Sequence, residues 1–587
     1  MIKNRVKILP EDLTNKIAAG EVVDRPASIV KELVENAIDA GSDEIFILLK
    51  NGGKTLIQVV DNGTGMSRED AILAIQRHTT SKISNYDDLH NIKTLGFRGE
   101  ALASIASVSR MELKTITNEK DAGSLIKIEG GTIDDVIDTG GARGTSVAVK
   151  NLFYNTPARR KFLKTDETEY RHILSFIQRF TLSCFDVSFT VYHNDQKIYD
   201  VKPADPEIRL VDVLGGRYKN NLVTVEDKGT VLQIWGFVGK QDTAKKSRGD
   251  QFLFLNGRYI VNRALNHAVI SSFGTIIPRG EFPLYALFLE IDPRRIDVNV
   301  HPSKMEVKFA DERLIYNLLR AAVKRALSSE QVIPSLSPQI GVTPQPISMS
   351  KEDFLAQQTA IPLYETAPRT QKFPGLDIPQ PQLPEKKQAI QMPPSDEKFE
   401  RANIWQINNQ YILSEIKSGL IIIDQHVAHE RILYEKALKD FEISNPASQQ
   451  LLFPHVTELT PDEYSYLTDI LPFLEKIGFV IKGFGGNTVV IEGVPSGMKI
   501  SSPETILNEI IDEFKQNRSS SLDIRDNVAK SYSCKMAIKK GEPLTLEEMN
   551  NLIDQLFATQ SPYFCPHGRP VIINLSIEEL DKRFGRI

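Results

Sequence analysis

Apolar positions along the chain follow two rhythms. In KELVENAIDAGS, Leu33, Val34, Ala37 and Ile38 recur at helical spacing, while TLIQVVDN and GTSVAVKNLF carry the short apolar runs of strands. FLFLNGRYIV reads as strand, turn and strand, and in RRIDVNVHPSKMEVKF isoleucine and valine alternate with polar residues. Helical and strand patterns thus interleave, which predicts α and β elements layered on one sheet, with a second unit beginning near residue 205. Further along, NQYILSEIKSGLIIID, NTVVIEGVP and RPVIINLS predict strands, and AHERILYEKALKDF and PETILNEIIDEFKQN predict helices.

Between these two regions the rhythm stops. From Pro334 to Pro394 the chain holds 12 of its 31 prolines, with many Gln and Ser, as in QPQLPEKKQ. Such a segment cannot bury a core and reads as a disordered linker spanning roughly 45 Å on average. The expected layout is therefore residues 1–204, 205–330, a linker over 331–398, and 399–587.

Composition narrows the options. With 587 residues, of which 41% are hydrophobic and 25% charged, the chain exceeds one core and should form several domains. No run approaches the roughly 18 apolar residues of a membrane span, and the start MIKNRVKILPEDL has no apolar signal region, so a cytoplasmic protein is expected. Three cysteines, Cys184, Cys534 and Cys565, cannot build a disulfide framework. A net charge of -5 leaves any nucleic-acid contact to local basic patches.

Three stretches of the first region carry chemistry. Glu32, Asn36 and Asp39 stand at i, i+4 and i+7 on one helix face, able to hold a base and a metal. DNGTGM ends a strand with the Asp61 carboxylate, and Gly63 and Gly65 after it allow tight turns. TLGFRGEALASI sets Gly96 and Gly99 before a helix, where backbone N–H groups can meet phosphate. Singly, each is ordinary: an amphipathic face is usually solvated surface and DNG is usually a turn.

In this order, however, they resemble the ATP-binding domain shared by gyrase, heat-shock chaperones, histidine kinases and MutL. Within that group, IAAGEVVDRPASIVKELVEN, DNGTGM, TLGFRGEALASI, GTSVAVKNLFYNTPARRKFL and DVNVHPSKMEVKF are similar to the MutL family of mismatch-repair proteins. The resemblance implies an N-terminal α/β sandwich ATPase domain, then a second, transducer-like α/β domain. It implies Glu32 as general base and Asn36 as the holder of Mg²⁺. It also implies Asp61 as acceptor for the adenine amino group, with Gly65, Thr80, Ser81, Lys82, Gly96, Phe97, Arg98, Gly99 and Thr145 around ATP. Lys304 would reach the γ-phosphate from the second domain. Such proteins close as ATP-switched homodimeric clamps on DNA and work with a MutS-type mismatch-recognition protein. Arg143, Lys150, Arg159, Arg160, Lys161, Lys164, Arg258 and Arg263 are candidate phosphate contacts.

The second region holds IIIDQHVAHERILYEK. His426 and Glu430 stand at i, i+4 and can face one cation, although an acid-capped surface helix fits the same letters. CPHGRP adds Cys565 and His567, and SCKMAIKKG adds Cys534. Together with the closing FGRI these segments resemble the C-terminal dimerisation and endonuclease domain of the MutL proteins that nick DNA. The likeness implies metal ligation by Asp424, His426, Glu430, Cys534, Cys565 and His567, with Glu435 a weaker member and His429 a bystander. Zn²⁺ suits the softer ligands and Mn²⁺ the harder carboxylates. The rival expectation is a matchmaker without nuclease activity, in which this site holds structural zinc only. QQLLFP, from Gln449 to Pro454, resembles a sliding-clamp-binding peptide, against the simpler reading of a buried strand. A topoisomerase ATPase subunit is disfavoured, since no large DNA-cleavage region follows, and a chaperone would not account for the C-terminal ligands.

Overall fold

In the computed structural model the described residues are 20, 22–82, 94–96, 99–118, 122–274, 276–278, 280–297, 307–330, 404–442, 446–496, 498, 502–517 and 523–586. The first helix, α1 (Pro26–Asp39), starts with Pro at its first turn and buries Ile29, Val30, Leu33, Val34 and Ala37. It lies against a sheet of eight strands: β1 (Glu44–Lys50), β2 (Leu56–Asp61), β3 (Arg110–Ile116), β4 (Gly123–Glu129), β5 (Thr132–Thr139), β6 (Gly144–Lys150), β7 (Ser188–His193) and β8 (Gln196–Val201). Their order is β5-β4-β3-β6-β2-β1-β7-β8, antiparallel except for the β1–β7 pair. Helix α2 (Asp166–Ser183) packs beside α1 and completes this layer.

The junction behind this layer is held by a buried arginine. Arg209 is fully enclosed, and its guanidinium donates to the carbonyls of Thr181, Cys184, Phe185, Val187 and Lys202 at 2.7–3.2 Å. A charge at that depth is tolerable because ready-made carbonyl dipoles replace its water.

A second sheet contains β9 (Leu222–Lys228), β10 (Leu232–Gly239), β11 (Gln251–Leu255), β12 (Arg258–Ile260) and β13 (Tyr285–Ile291), ordered β12-β11-β13-β10-β9. FLFLNGRYIV forms the expected hairpin, with Asn256 and Gly257 at positive φ in its turn. Helices α3 (Arg263–Phe273) and α4 (Glu312–Glu330) cover a core that includes Val225, Leu255, Leu287 and Val323. Of the alternating stretch after Arg295, Ile296–Asp297 pairs with Lys308–Phe309. Lys304 and the 331–398 segment lie outside the described residues.

The remaining residues form two smaller sheets. The first orders β14 (Ile404–Ile407), β15 (Tyr411–Ile416), β16 (Gly419–Asp424) and β20 (Ile572–Ser576) as β14-β15-β16-β20. Between β16 and β20 in the chain come α5 (Gln425–Asp440), α6 (Pro461–Ile477), α7 (Ile524–Met536) and α8 (Leu546–Phe557). The second sheet orders β17 (Ser448–Glu458), β18 (Val480–Gly483) and β19 (Thr488–Pro495) as β17-β19-β18.

On the first small sheet, Ile412, Ile421 and Ile423 point into a core with Val427, Leu552 and Leu556. The opposite face carries Trp405, Leu413, Ile422 and Ile573 in cross-strand register, and Trp405 and Ile573 are about half exposed. The two regions that flank 331–403 also touch each other. Arg171 of α2 reaches Asp469 of α6 at 2.6 Å, and Arg217 and Lys245 approach Glu463 at 2.6 and 3.7 Å.

Candidate active sites

The first site is a cavity of about 1160 Å³ roofed by α1. Glu32, Asn36, Asp61, Gly65, Thr80, Ser81, Lys82, Gly96, Gly99 and Thr145 all line it, so the described members of the expected nucleotide set converge. Phe97 and Arg98 fall outside the described residues. Apolar spacing turns one side of α1 into the core, and the same 3.6-residue period leaves Glu32, Asn36 and Asp39 on the other.

Asp61 ends β2. It accepts from Gly63 N–H at 2.9 Å, and burial raises its carboxyl pKa against that hydrogen bond and those from Ser42 and Thr145. Close packing fixes the loops around it. Gly65 has φ 68°, and a Cβ there would lie 2.2 Å from the Ile116 carbonyl oxygen. Glu32 is held by Lys31 at 2.8 Å, and Lys31 also meets Glu35 at 3.0 Å. Burial opposes the Lys31 charge, but Glu35 and Glu32 outweigh it and raise its pKa.

Asp39 does more than its position on the helix suggested. Its carboxylate accepts the N–H groups of Leu95 and Gly96 at 2.8 and 2.9 Å, and it pairs with Lys82 Nζ at 2.5 Å. Lys82 Nζ also donates to Asn36 Oδ1 at 3.0 Å. An ammonium group thus sits on the oxygens that face the cavity, and this donor set of amide and carboxylate oxygen suits Mg²⁺.

Among the described residues, the second site gathers Glu430, Cys565 and His567, whose ligand atoms lie within 4.8 Å of one another. Glu430 is almost fully buried on α5, and its carboxylate meets His567 Nδ1. Hydrogen bonds with Cys565 and Glu430 raise the His567 imidazole pKa to about 9, against burial. Burial pushes the Cys565 thiol up, but hydrogen bonds from His567 and from the Arg569 N–H outweigh it and leave its pKa below the ordinary value. A buried carboxylate, an imidazole and an easily ionised thiol fit a divalent ion such as zinc.

The other expected ligands stand apart from this trio. Asp424 caps α5, its Oδ1 accepting the N–H groups of His426 and Val427 at 3.0 and 3.1 Å. The His426 Nδ1 contacts the Ile538 carbonyl at 2.8 Å, which leaves Nε2 as the nitrogen for a ligand. Cys534 is raised to about 11 by burial and by the charges of Glu513 and Glu430. Glu435 is taken up by Arg431 at 2.7 Å and by the N–H of Gln560. His429 accepts the Ile538 N–H.

The basic candidates also separate. Arg143, Arg160, Lys161, Lys164 and Arg263 are exposed, whereas Lys150 pairs with Glu112 at 2.7 Å. Arg258 points at the nucleotide domain instead, donating to the carbonyls of Thr94 and Leu95. In QQLLFP the ladder between β17 and β19 breaks between Gln450 and His455, and Leu452 and Phe453 are 92% and 80% exposed. A buried strand is therefore excluded there.

A phosphate-loop cavity under a helix that carries an acid and an amide is the architecture of an ATPase. In agreement, residues 25–134 match the model for histidine kinase-, DNA gyrase B- and HSP90-like ATPases. Residues 210–328 match the DNA mismatch repair protein C-terminal domain, and residues 404–544 match the MutL C-terminal dimerisation domain. Over 99% of its length the chain is 43% identical to the whole of the DNA mismatch repair protein MutL of Pelodictyon phaeoclathratiforme. The corresponding protein of Chlorobium limicola is 42% identical, again over 99% of this chain and all of the relative. The ATPase domain of Aquifex aeolicus MutL complexed with ADP aligns with 51% of this chain and 98% of its own, at 26% identity and a TM-score of 0.37. The chain belongs to the MutL family of DNA mismatch repair proteins, with an ATPase domain and a C-terminal dimerisation domain. No described helix is long and apolar enough to cross a membrane.

Proposed function

We propose that the protein is an ATP-switched homodimeric DNA clamp that nicks the strand to be repaired at its C-terminal metal site. Glu32 lines the cavity and acts as the base that orients and deprotonates the attacking water. Lys31 pairs with its carboxylate at 2.8 Å and holds it in place. Asn36, with Asp39 near it, would hold Mg²⁺, which when bound would supply neutralising charge to the phosphate oxygens. Asp61 accepts a hydrogen bond from the adenine amino group, Thr145 and Gly65 close the base pocket, and Gly99 presents its N–H group to phosphate, that of Gly96 being held by Asp39. Lys304, and Phe97 and Arg98 of the glycine loop, are assigned to the γ-phosphate and the lid on the sequence likeness alone. The boundaries near 204, 330 and 398 are part of the same proposal.

The observation that carries the nuclease reading is the meeting of the buried Glu430 and Cys565 with His567, whose ligand atoms lie within 4.8 Å of one another; on the same helix as Glu430, Asp424 is the cap and His426 keeps Nε2 for a ligand. Zn²⁺ would hold to the sulfur and imidazole, and a harder Mn²⁺ to the carboxylates, with the ions polarising a phosphodiester and acidifying water. The protein's part is to fix the ligands: the helix cap holds Asp424, and the Ile538 carbonyl orients His426.

The outer face with Trp405 and Ile573 is assigned to the partner subunit, whose apolar strip would cover it. The exposed Leu452 and Phe453 are assigned to the replication sliding clamp. Arg160, Lys161, Lys164, Arg143 and Arg263 are assigned to DNA phosphates, and a MutS-type protein supplies mismatch recognition. Cytoplasmic, nucleoid-associated work follows from these partners.

A second reading keeps one observation on its side. The trio alone, with Asp424 spent partly on its helix, makes a structural zinc site in a matchmaker that does not cleave. Supercoiled plasmid with Mn²⁺ decides between them. Nicking by the wild type that disappears in Asp424→Asn and Glu430→Gln, both still dimeric and active on ATP, supports the nuclease. No nicking across metals and salt concentrations, with sliding clamp added, leaves the matchmaker.

A further inference from the structure

The β11–β12 hairpin belongs to the second sheet, yet its tip acts on the nucleotide domain. From Arg258, Nη1 donates to the Leu95 carbonyl at 3.3 Å and Nη2 donates to the carbonyl of Thr94. On the opposite edge of the same strip, Asp39 accepts the N–H groups of Leu95 and Gly96. Thr94–Gly96 is the root of the loop that leads to Gly99 and the phosphate side of the cavity. It is gripped from both sides: an α1 carboxylate takes its amides, and a guanidinium from the other sheet takes its carbonyls.

The hairpin itself is braced. Arg179 of α2 lies over the Tyr259 ring at 4.1 Å, and Arg179, Tyr259, Arg258, Lys31 and Glu35 line one small cavity between the two sheets' elements. Two successive carbonyls suit the forked guanidinium, which places two N–H groups in a fixed plane; an ammonium presents a single point. Arg258 is half-buried with both terminal nitrogens bonded to the protein, so it is poorly placed for a DNA phosphate.

We propose that Arg258 is a positioning residue for ATP turnover, fixing Thr94–Gly96 at the edge of the nucleotide cavity. The inference rests on the ATPase reading above.

The test uses the full-length protein and its Arg258→Gln and Arg258→Lys variants. Four quantities are measured: ATP turnover against ATP concentration without DNA, hydrogen exchange of residues 94–99 with and without a non-hydrolysable ATP analogue, DNA affinity without nucleotide, and the thermal midpoint. In Arg258→Gln the expected results are a kcat/KM lower by about tenfold or more and loss of the analogue-induced protection of residues 94–99. Nucleotide-free DNA affinity and the thermal midpoint hold, and Arg258→Lys recovers only part of the turnover. Wild-type turnover and protection in Arg258→Gln, or a loss confined to DNA affinity, would overturn the inference while leaving the ATPase reading intact. Should the Gln variant fail to fold, full turnover in Arg258→Lys overturns it and reduced turnover with lost protection supports it. A wild-type protein that neither binds nor hydrolyses ATP removes both.

Discussion

The nucleotide cavity and the candidate metal cluster of Glu430, Cys565 and His567 are built in opposite ways. The cavity is wide, and its walls come largely from residues in one stretch of chain, with α1 alone supplying Glu32, Asn36 and Asp39. The cluster is compact and joins α5 to the CPHGRP loop, so its ligands come from segments more than a hundred residues apart. A large ligand that must enter and leave needs a loop that orders around it, whereas a small ion needs donors that are already converged. The contrast teaches that turnover should depend on loop position in the first site and on donor chemistry in the second.

Five outcomes bear on that contrast. The largest is expected for Glu32→Ala, which should lower ATP hydrolysis by about 10²–10⁴-fold while analogue binding persists; phosphate release and equilibrium binding measure the two separately, and parallel loss of binding would mean the residue shapes the pocket instead. Replacing Arg209 by Met should cost roughly 3–5 kcal/mol, since five carbonyls lose a buried charge. Denaturant unfolding checks this, and the loss should leave metal content unchanged, because the junction serves the nucleotide layer.

Asp61→Asn should weaken ATP binding by about 2–3 kcal/mol, since an amide turned the wrong way offers a donor to a donor; titration calorimetry would show it, and unchanged affinity would remove Asp61 from base recognition. At the metal site, Cys565→Ser or His567→Ala should abolish tightly held zinc in elemental analysis while ATP turnover in the same preparation continues. Coupled loss of both would break the contrast.

The fifth outcome concerns the place where the two regions meet. Burial raises Glu463, but Lys515, Arg217 and Lys245 outweigh it and bring its folded pKa down to about 2 from 4.5. A depressed acid contributes stability that is present above pH 4.5 and is lost as pH falls toward 2, on the order of 3 kcal/mol in all. The thermal midpoint should therefore fall through that window, and Glu463→Gln should flatten part of the fall. A wild-type slope in the variant would assign acid sensitivity elsewhere.

The parts of this architecture that could be read in the sequence are those whose chemistry is contiguous. KELVENAIDAG carries its apolar period and its polar face in one stretch, and DQHVAHE announces both a cap and an i, i+4 pair. Other features left no such mark. Arg209 looks like any surface arginine until five carbonyls surround it. Asp39 and Arg258 act on backbone groups of Thr94–Gly96, and a backbone carbonyl has no letter of its own. QQLLFP was ambiguous because apolar letters do not say whether a strand is covered, and the break in the β17 ladder turned Leu452 and Phe453 outward.

The salt links among Arg217, Lys245, Asp250 and Glu463 also impose a schedule on biosynthesis. Lys245 and Asp250 leave the ribosome nearly together, but Glu463 follows roughly 200 residues later, a wait of about 10–40 s at ordinary elongation rates. For that interval two cations share one carboxylate, and the nascent first half presents a more basic surface than the finished molecule does.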